Sequence, residues 1–314
     1  MKTIRILPLA VGALLVGATL ALAAPPAVRT IAGGRLTINV GDDTSFQVFD
    51  SDVPPDAQNN ALFSPVCGSG DTADTGVLLS VGGIVYGPNF ATHPCGTFAP
   101  AFTPWTPISL SPVTGSGSSA DPYKVVLVAD AGATGLRLTE TITHVAGSGA
   151  FRPTLSITNT GAAASVDVYL ATHMFLAIQY VYPILLHGAP GGWAAIKVGA
   201  PTPACAPEGY YALLPAADRY TGQSYGDMWN EIMTGGLSNT MQGGCSFEGI
   251  ATQWAARTVA SGVTLTLSPS GPVEFIRADP FQVAAVPVLS AKGLAAMVAG
   301  IAIAALLTIR AARS

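Results

Sequence analysis

The chain has 314 residues and a formal charge of −4, and only 10% of its residues are charged, against about a quarter in an average globular protein. Together with 35 glycines and 24 prolines, this composition excludes a coiled coil, a charged disordered tail and a nucleic-acid-binding protein that works through a basic surface.

The first predicted element is a secretory signal peptide over residues 1–23. Lys2 and Arg5 precede an uncharged apolar run, and Ala21-Leu22-Ala23 supplies the small residues that a signal peptidase accepts. The alternative is an uncleaved membrane anchor, which Pro25 disfavours because it stops a helix soon after the small residues. We therefore expect cleavage after Ala23 and an exported chain.

The next predicted elements are short strands separated by turns. Apolar and polar residues alternate with a period of two, as in a half-buried strand, over Leu36–Val40, Leu136–Val145, Thr154–Thr158 and Val263–Leu267. Val125–Ala129 is continuously apolar and predicts a strand buried on both faces. One helix is predicted over Tyr225–Met233, with Gly235 able to end it.

These patterns predict an all-β fold for residues 24–286, a large antiparallel β-sandwich with one short helix. No internal repeat or long linker divides the segment, which favours one elaborate sandwich over two domains. All 18 acidic residues but only nine of the 14 basic ones fall in it, so its formal charge is −9. An acidic body repels phosphate backbones, and nucleic acid is therefore not an expected partner.

The last predicted element is a C-terminal transmembrane helix. Residues 293–309 are uncharged and are followed by Arg310 and Arg313, which would stay cytoplasmic. Seventeen residues span only about 25 Å, the lower limit for crossing a bilayer. A buried helix of a globular core is the alternative, although such a helix rarely lacks a polar face. We expect the body to lie outside the cytoplasm, anchored or released.

The segment 287–314 resembles a known class of bacterial sorting signals, the IPTL-CTERM and PEP-CTERM class. The residues that carry the resemblance are Val286, Pro287, Val288, Leu289 and Ser290, ahead of the apolar span and its basic tail. The resemblance implies surface or extracellular sorting by an exosortase-like processing enzyme. Because the span is so short, we expect a transient membrane stop that is later cut, with a stable anchor as the alternative.

The body resembles a set of secreted bacterial proteins without an assigned activity. The shared motifs are Tyr86-Gly87-Pro88-Asn89-Phe90 with His93, Thr103-Pro104-Trp105-Thr106-Pro107, Thr114 to Gly117, Ala120 to Tyr123, Thr139-Glu140-Thr141, Thr158 to Gly161 and Arg219 to Trp229. The resemblance implies a supersandwich of the galactose-mutarotase-like kind. It implies no catalytic residues.

The cysteines indicate disulfide bonds. An even number of cysteines in an oxidising compartment predicts two bridges with three possible connectivities, and proximity in sequence favours Cys67–Cys95 and Cys205–Cys245. A zinc site is disfavoured because no C-x2-C pair occurs. No cofactor and no metal are predicted.

Two sequence patterns resemble catalytic or metal-binding motifs, but the surrounding residues do not support either function. Gly222–Gly226 matches the G-x-S-x-G nucleophile elbow, but no histidine follows Ser224, so a Gly-bounded loop entering the helix is the better interpretation. Asp42, Asp43 and Asp50 belong to an acidic cluster without the spacing of a calcium loop, which is better explained as a solvated loop.

A ligand cleft is the remaining candidate site. Aromatic faces beside carboxylates are what a sugar site uses, although core packing of the aromatics is the competing interpretation. The candidate residues are His93, Glu140, Asp218, Tyr220, Tyr225, Asp227, Trp229 and Glu231.

Two functions follow from these observations. The first is an exported, surface-displayed or matrix-associated bacterial protein of structural or adhesive type, without enzymatic activity. The alternative is a carbohydrate-binding or carbohydrate-active protein with a glycan or exopolysaccharide as its partner. Convergence of the eight candidate residues in one cleft would favour the alternative.

Overall fold

The computed structural model describes residues 24–277, apart from 53–59, 64, 66, 67, 69, 98, 175–181, 186–193, 199–209, 216, 242–247 and 268–270. The strands described are β1 (Val28–Ala32), β2 (Leu36–Gly41), β3 (Phe46–Asp50), β4 (Thr75–Val81), β5 (Ile84–Gly87), β6 (Thr103–Pro104), β7 (Thr106–Leu110), β8 (Tyr123–Asp130), β9 (Leu136–His144), β10 (Ala150–Asn159), β11 (Ala164–Met174), β12 (Tyr182–Leu185), β13 (Ala194–Val198), β14 (Tyr210–Leu213), β15 (Arg219–Ser224), β16 (Thr240–Met241), β17 (Glu248–Val259), β18 (Thr264–Thr266) and β19 (Val273–Arg277). The helix α1 spans Tyr225–Thr234, and a 3₁₀ turn spans Phe90–Thr92.

The strands form three sheets. A three-stranded sheet has the order β1-β2-β3, and a seven-stranded sheet has the order β16-β15-β17-β11-β4-β5-β6. A nine-stranded sheet has the order β12-β13-β14-β19-β10-β9-β8-β7, with β18 also paired to β10. Pairing is antiparallel except between β15 and β16 and between β5 and β6. The predicted all-β sandwich with one helix is thus confirmed for the described residues.

The predicted strands follow from alternation and from turn residues. On β9, Leu136, Leu138, Glu140 and Ile142 are buried, while Arg137, Thr139 and Thr141 between them are partly or fully exposed. The hairpin between β4 and β5 turns at Gly82 and Gly83, whose φ values of 58° and 79° suit glycine. The helix also begins and ends where its sequence predicts, with Gly235 in the left-handed conformation.

The main hydrophobic core lies between the sheets and draws on all three of them. Its buried residues run along the chain from Ile31 to Phe275. Phe46 meets the rings of Phe63 and Phe151 edge-on, with centroids 5.6 Å apart in both pairs. The three-stranded sheet is tied to the far end of the described chain by Arg35, which forms an ion pair with Asp50 and donates to the Phe275 carbonyl at 3.0 Å.

A second, smaller core covers the other face of the seven-stranded sheet. On β11, Val168 and Leu170 belong to the main core, whereas Tyr169 and Ala171 belong to the second. The apolar face of α1 supplies Tyr225, Met228, Trp229 and Ile232 to this second core, at the i, i+3, i+4, i+7 spacing of one helix face. This sheet is therefore covered on both sides.

Two interpretations of the sequence are wrong. Val126 and Val128 on β8 are only partly buried, because just one face of this strand meets the core. Asp43 and Asp50 are not solvated but buried, since backbone and side-chain donors satisfy them.

Several predictions lie outside the described residues. These are the signal peptide, the sorting motif Val286–Ser290, the span 293–309, and Cys67, Cys205 and Cys245. In the part of the chain that is described, no helix combines the length and apolar composition needed to span a membrane. Cys95 is disulfide-bonded, but its partner lies outside the described residues, so its pairing with Cys67 stays a prediction.

Candidate functional site

The aromatic residues predicted for a sugar cleft lie in the second core. Trp229 is 1% exposed, and its ring centroid is 5.4 Å from that of Phe102 and 5.8 Å from that of Phe90. Tyr225 is also buried and meets Trp229 edge-on. Both side chains pack the helix onto the sheet. These aromatics therefore serve core packing, which was the alternative to a sugar site.

The two carboxylates predicted on α1 hold the ends of the helix. Asp227 accepts from the Ser224 hydroxyl at 2.6 Å, and this hydroxyl in turn caps the helix by accepting from the Asp227 N–H. Ser224 lies at a strand-to-helix junction, but its φ of −53° and ψ of 145° are ordinary extended values. Glu231 accepts from the hydroxyl and backbone N–H of Ser238 beyond the helix.

Asp218 and Tyr220 lie at the start of β15. Asp218 pairs with Arg257 at 2.8 Å and accepts from the Ala255 N–H, so its partner is not the neighbouring Arg219. Tyr220 is partly buried against the main core. Among the described residues, no hydrogen bond or ion pair joins either of them to another candidate.

His93 and Glu140 belong to a buried polar cluster that also contains Asp43. One Asp43 oxygen accepts from the Asn89 N–H and lies 3.1 Å from His93 Nε2, while the other accepts from Ser45. Asp43 therefore fixes the loop after β5 to the β2–β3 hairpin. The His93 side chain is fully buried.

Glu140 extends from β9 into the main core. It is 1% exposed, and no described residue donates to either of its oxygens. Burial, followed by the nearby Asp43 carboxylate, raises the pKa of Glu140 to about 8. The group is consequently a neutral acid over much of the physiological pH range, and sequence gives no sign of this because its neighbours Thr139 and Thr141 are ordinary strand residues.

A second buried polar cluster links α1 to β4. Asp74 accepts from the Tyr225 hydroxyl and, at 2.9 Å, from the Thr97 hydroxyl. The His173 ring stacks on Tyr225 with centroids 3.9 Å apart. Burial and the Asp74 carboxylate raise the pKa of Tyr225 above its ordinary value. The arrangement keeps Tyr225 protonated as a donor and anchors the helix.

The outer surface of the nine-stranded sheet carries a regular set of hydroxyl groups, which we call the threonine face. Its members are Thr139, Thr141, Thr143, Thr154, Ser156, Thr158, Thr264 and Thr266, all partly or fully exposed. The register places Thr141 directly opposite Thr154, and Ser156 between Thr139 and Thr266. Strand geometry spaces such side chains about 4.8 Å apart across strands and about 6.7 Å along them.

A shallow cavity of about 270 Å³ adjoins one end of the threonine face. Its walls include Thr143, His144, Ser148, Phe151 and Arg152. His144 is 1% exposed, rather than half-exposed as its position at a strand end suggests, and its Nδ1 lies 2.9 Å from the Ala150 carbonyl oxygen.

A second cavity, of about 290 Å³, lies between β1 and β7. Arg29, Asp42 and Ile108 are among its walls. Neither this cavity nor the one beside the threonine face is lined by any of the eight residues predicted for the cleft. Those residues are instead distributed among the second core, the helix ends, the start of β15 and the Asp43 cluster.

No protein-family profile and no curated protein sequence matches the chain. Among solved structures, it is similar to a candidate aldose 1-epimerase from Escherichia coli K12, at 14% identity and a TM-score of 0.39, over 81% of this chain and 99% of that one. It is also similar to the GH36 α-galactosidases AgaA and AgaB from Geobacillus stearothermophilus, with identities of 10% and TM-scores of 0.37 and 0.33. The chain spans 41% and 39% of the length of these two enzymes. These similarities assign no activity to it.

Proposed function

We propose that this protein is an exported bacterial surface or matrix protein whose β-sandwich body binds carbohydrate. The observation that carries the proposal is the threonine face, in which hydroxyls of three neighbouring strands stand in register. Each threonine offers a hydroxyl that both donates and accepts and a methyl group beside it. A sugar ring presents the matching chemistry, with hydroxyls at its edge and apolar C–H groups on its faces.

The shape of the face favours a flexible polymer over a rigid surface. Adjacent strands of a sheet are rotated by about 20–25° relative to one another. A flat crystalline partner could therefore contact only two or three strands of the face. A polysaccharide chain can follow that twist while keeping contacts on successive strands. Thr158 and Thr264, whose hydroxyls lie 2.8 Å apart, show that neighbouring strands bring these groups within hydrogen-bonding distance.

Export and display are proposed from the two ends of the sequence. The signal peptide over residues 1–23 would direct export, and the segment 287–314 would hold the chain in the membrane through 293–309 until an exosortase-like enzyme processes it. Deleting Gly293–Ser314 should release the body prematurely in the native host, as shown by fractionation. Full-length chain found only in the inner membrane would contradict transient anchoring.

The carbohydrate proposal is tested by binding of the full chain, purified in mild detergent, to a panel of immobilised polysaccharides. Thr141→Val combined with Thr154→Val removes two facing hydroxyls while preserving side-chain shape, and it should weaken binding at least fivefold. Thr258→Val on β17, an exposed threonine of the other sheet, is the matched control and should bind like the parent. Equal binding by the double variant would refute the role of the threonine face.

A further inference from the structure

The outer surface of the nine-stranded sheet contains a row of uncharged side chains that runs across five neighbouring strands. Val128 on β8 lies directly opposite Ser109 on β7 and, on its other side, Thr139 on β9. The row continues through Ser156 on β10 to Thr266 on β18. Directly opposed residues share one face of a sheet, so these side chains stand side by side over about 19 Å.

A second uncharged row lies beside the first, one step along the strands. Val126 on β8 lies opposite Thr141, and Thr141 lies opposite Thr154 on β10. All side chains of the two rows are partly or fully exposed. We call them the uncharged rows. They offer hydroxyls that donate and accept, next to valine side chains and threonine methyl groups that suit apolar C–H groups.

Charged side chains flank the uncharged rows on both sides, with both signs of charge on each side. On one side, Asp130 lies opposite Arg137 and forms an ion pair with it at 2.7 Å. On the other side lie Lys124 and Arg152, followed one step further by Glu274. The middle of the face therefore has no excess of either charge, which suits a neutral ligand better than a polyanion or a polycation.

The hydroxyls of the uncharged rows also differ from those of the flanking rows in their hydrogen bonds. In the flanking rows, the hydroxyls of Thr158 and Thr264 lie 2.8 Å apart, and the Thr143 hydroxyl donates to the Arg152 carbonyl at 3.4 Å. Within the part of the chain that the structure describes, the hydroxyls of the uncharged rows have no such partner. They face solvent and can bond to a ligand without breaking a bond inside the protein.

The spacing of the first row favours one type of polymer. Neighbouring members of the row are about 4.8 Å apart, whereas outward residues along one strand are about 6.7 Å apart. An extended β-1,4-linked hexose chain advances by nearly the strand spacing with each sugar, while an α-1,4-linked glucan coils and advances by less. The sheet twists about the direction of the row, so a single extended chain can follow it by small rotations about its linkages.

We infer that the uncharged rows form a binding site for a neutral, extended β-1,4-linked polysaccharide that lies across the strands. The first row holds about four successive sugars, one for each strand spacing. Val126 and Val128 lie beneath the C–H groups of the chain, and the hydroxyls of both rows bond to its edges. This inference rests on the proposed carbohydrate-binding function and names its ligand class.

The test is calorimetric titration of the full chain, in a detergent without a sugar headgroup, with cellohexaose and with maltohexaose. The two probes are uncharged and have the same number of glucose units, and they differ only in a β-1,4 or an α-1,4 linkage. Cellohexaose should bind at least tenfold more tightly than maltohexaose. Raising the salt to about 0.5 M should leave its affinity unchanged, because no charge of the ligand is involved.

Two matched substitutions test the direction of the polymer. Thr266→Val removes a hydroxyl from the first row and should weaken cellohexaose binding about threefold. Thr143→Val makes the same change on β9 in a flanking row and should bind like the parent. Both variants keep a β-branched side chain that suits a strand. Unchanged binding by Thr266→Val, or weakening by Thr143→Val, would overturn the placement across the strands.

The remaining outcomes separate this inference from the proposed function. Equal affinity for the two hexasaccharides would overturn the β-1,4-linked ligand. Binding of another polysaccharide of the panel without binding of cellohexaose would do the same, while leaving carbohydrate binding intact. Failure to bind any carbohydrate would overturn both proposals.

Discussion

Replacing Glu140 by glutamine should make the protein more stable at pH 8 and leave it nearly unchanged at pH 5. Burial raises the pKa of this carboxyl from 4.5 to about 8. In the unfolded chain the group ionises from about pH 4.5 upward, while in the folded chain it stays protonated up to about pH 8. Folding therefore becomes less favourable by about 1.4 kcal/mol for each pH unit in that window.

The full difference of about 3.5 pKa units corresponds to about 5 kcal/mol, a large part of the 5–15 kcal/mol that stabilises an ordinary domain. Glutamine has nearly the same shape as the protonated acid and does not ionise. The Glu140→Gln variant should therefore lose this pH dependence. Its free energy of unfolding should exceed that of the parent chain by an amount that grows between pH 5 and pH 8.

Urea unfolding of both proteins at several pH values, followed by fluorescence of the buried Trp105, Trp229 and Trp254, measures the difference. Glu274→Gln is the control, because this carboxyl on β19 is partly exposed, unlike the buried Glu140. A stability difference between parent and Glu140→Gln that stays constant from pH 5 to pH 8 would refute the reasoning.

Two further substitutions and one mapping experiment test other parts of the structure. Tyr225→Phe should lower the free energy of unfolding by about 1–3 kcal/mol, because it removes the hydroxyl that donates to buried Asp74; thermal unfolding measures it. Ser224→Ala should lower the free energy of unfolding by about 1 kcal/mol through loss of the helix cap, without changing ligand binding. A clear loss of ligand binding would contradict a purely structural role of this hydroxyl. Non-reducing peptide mapping should recover the disulfides Cys67–Cys95 and Cys205–Cys245.

Local patterns predicted local structure well. The alternation over Leu136–Val145 reflects a strand with one buried face, and the predicted helix has its apolar residues on the face that packs. The alternation over Leu36–Val40 also marks a strand, although the polar Asn39 on it is buried as well. Such periodicity is a direct consequence of side-chain geometry. It can therefore be recognised in the sequence without knowing which elements pack against each other.

The residues predicted for the sugar cleft do not lie together, and the reason is the dependence of a side chain's role on distant parts of the chain. Whether Trp229 is a sugar platform or a core residue depends on which surface lies opposite α1, and that surface comes from Phe90 and Phe102, more than 120 residues away. Burial of Asp43 likewise depends on donors supplied by a distant loop, including His93. The threonine face could have been found, because T-x-T-x-T over 139–143 is visible in the sequence, but ordinary strand propensity explains that pattern equally well.

The contact between Arg35 and the Phe275 carbonyl joins residues 240 positions apart. Because β19 also pairs with β10, the nine-stranded sheet lacks an internal strand until residues near 275 are free to fold. Because the chain is synthesised from its N-terminus, the main core stays incomplete until nearly all residues of the chain are available. Native contacts of such long range make folding slow, and in the export that we propose this delay would keep the chain unfolded while it crosses the membrane.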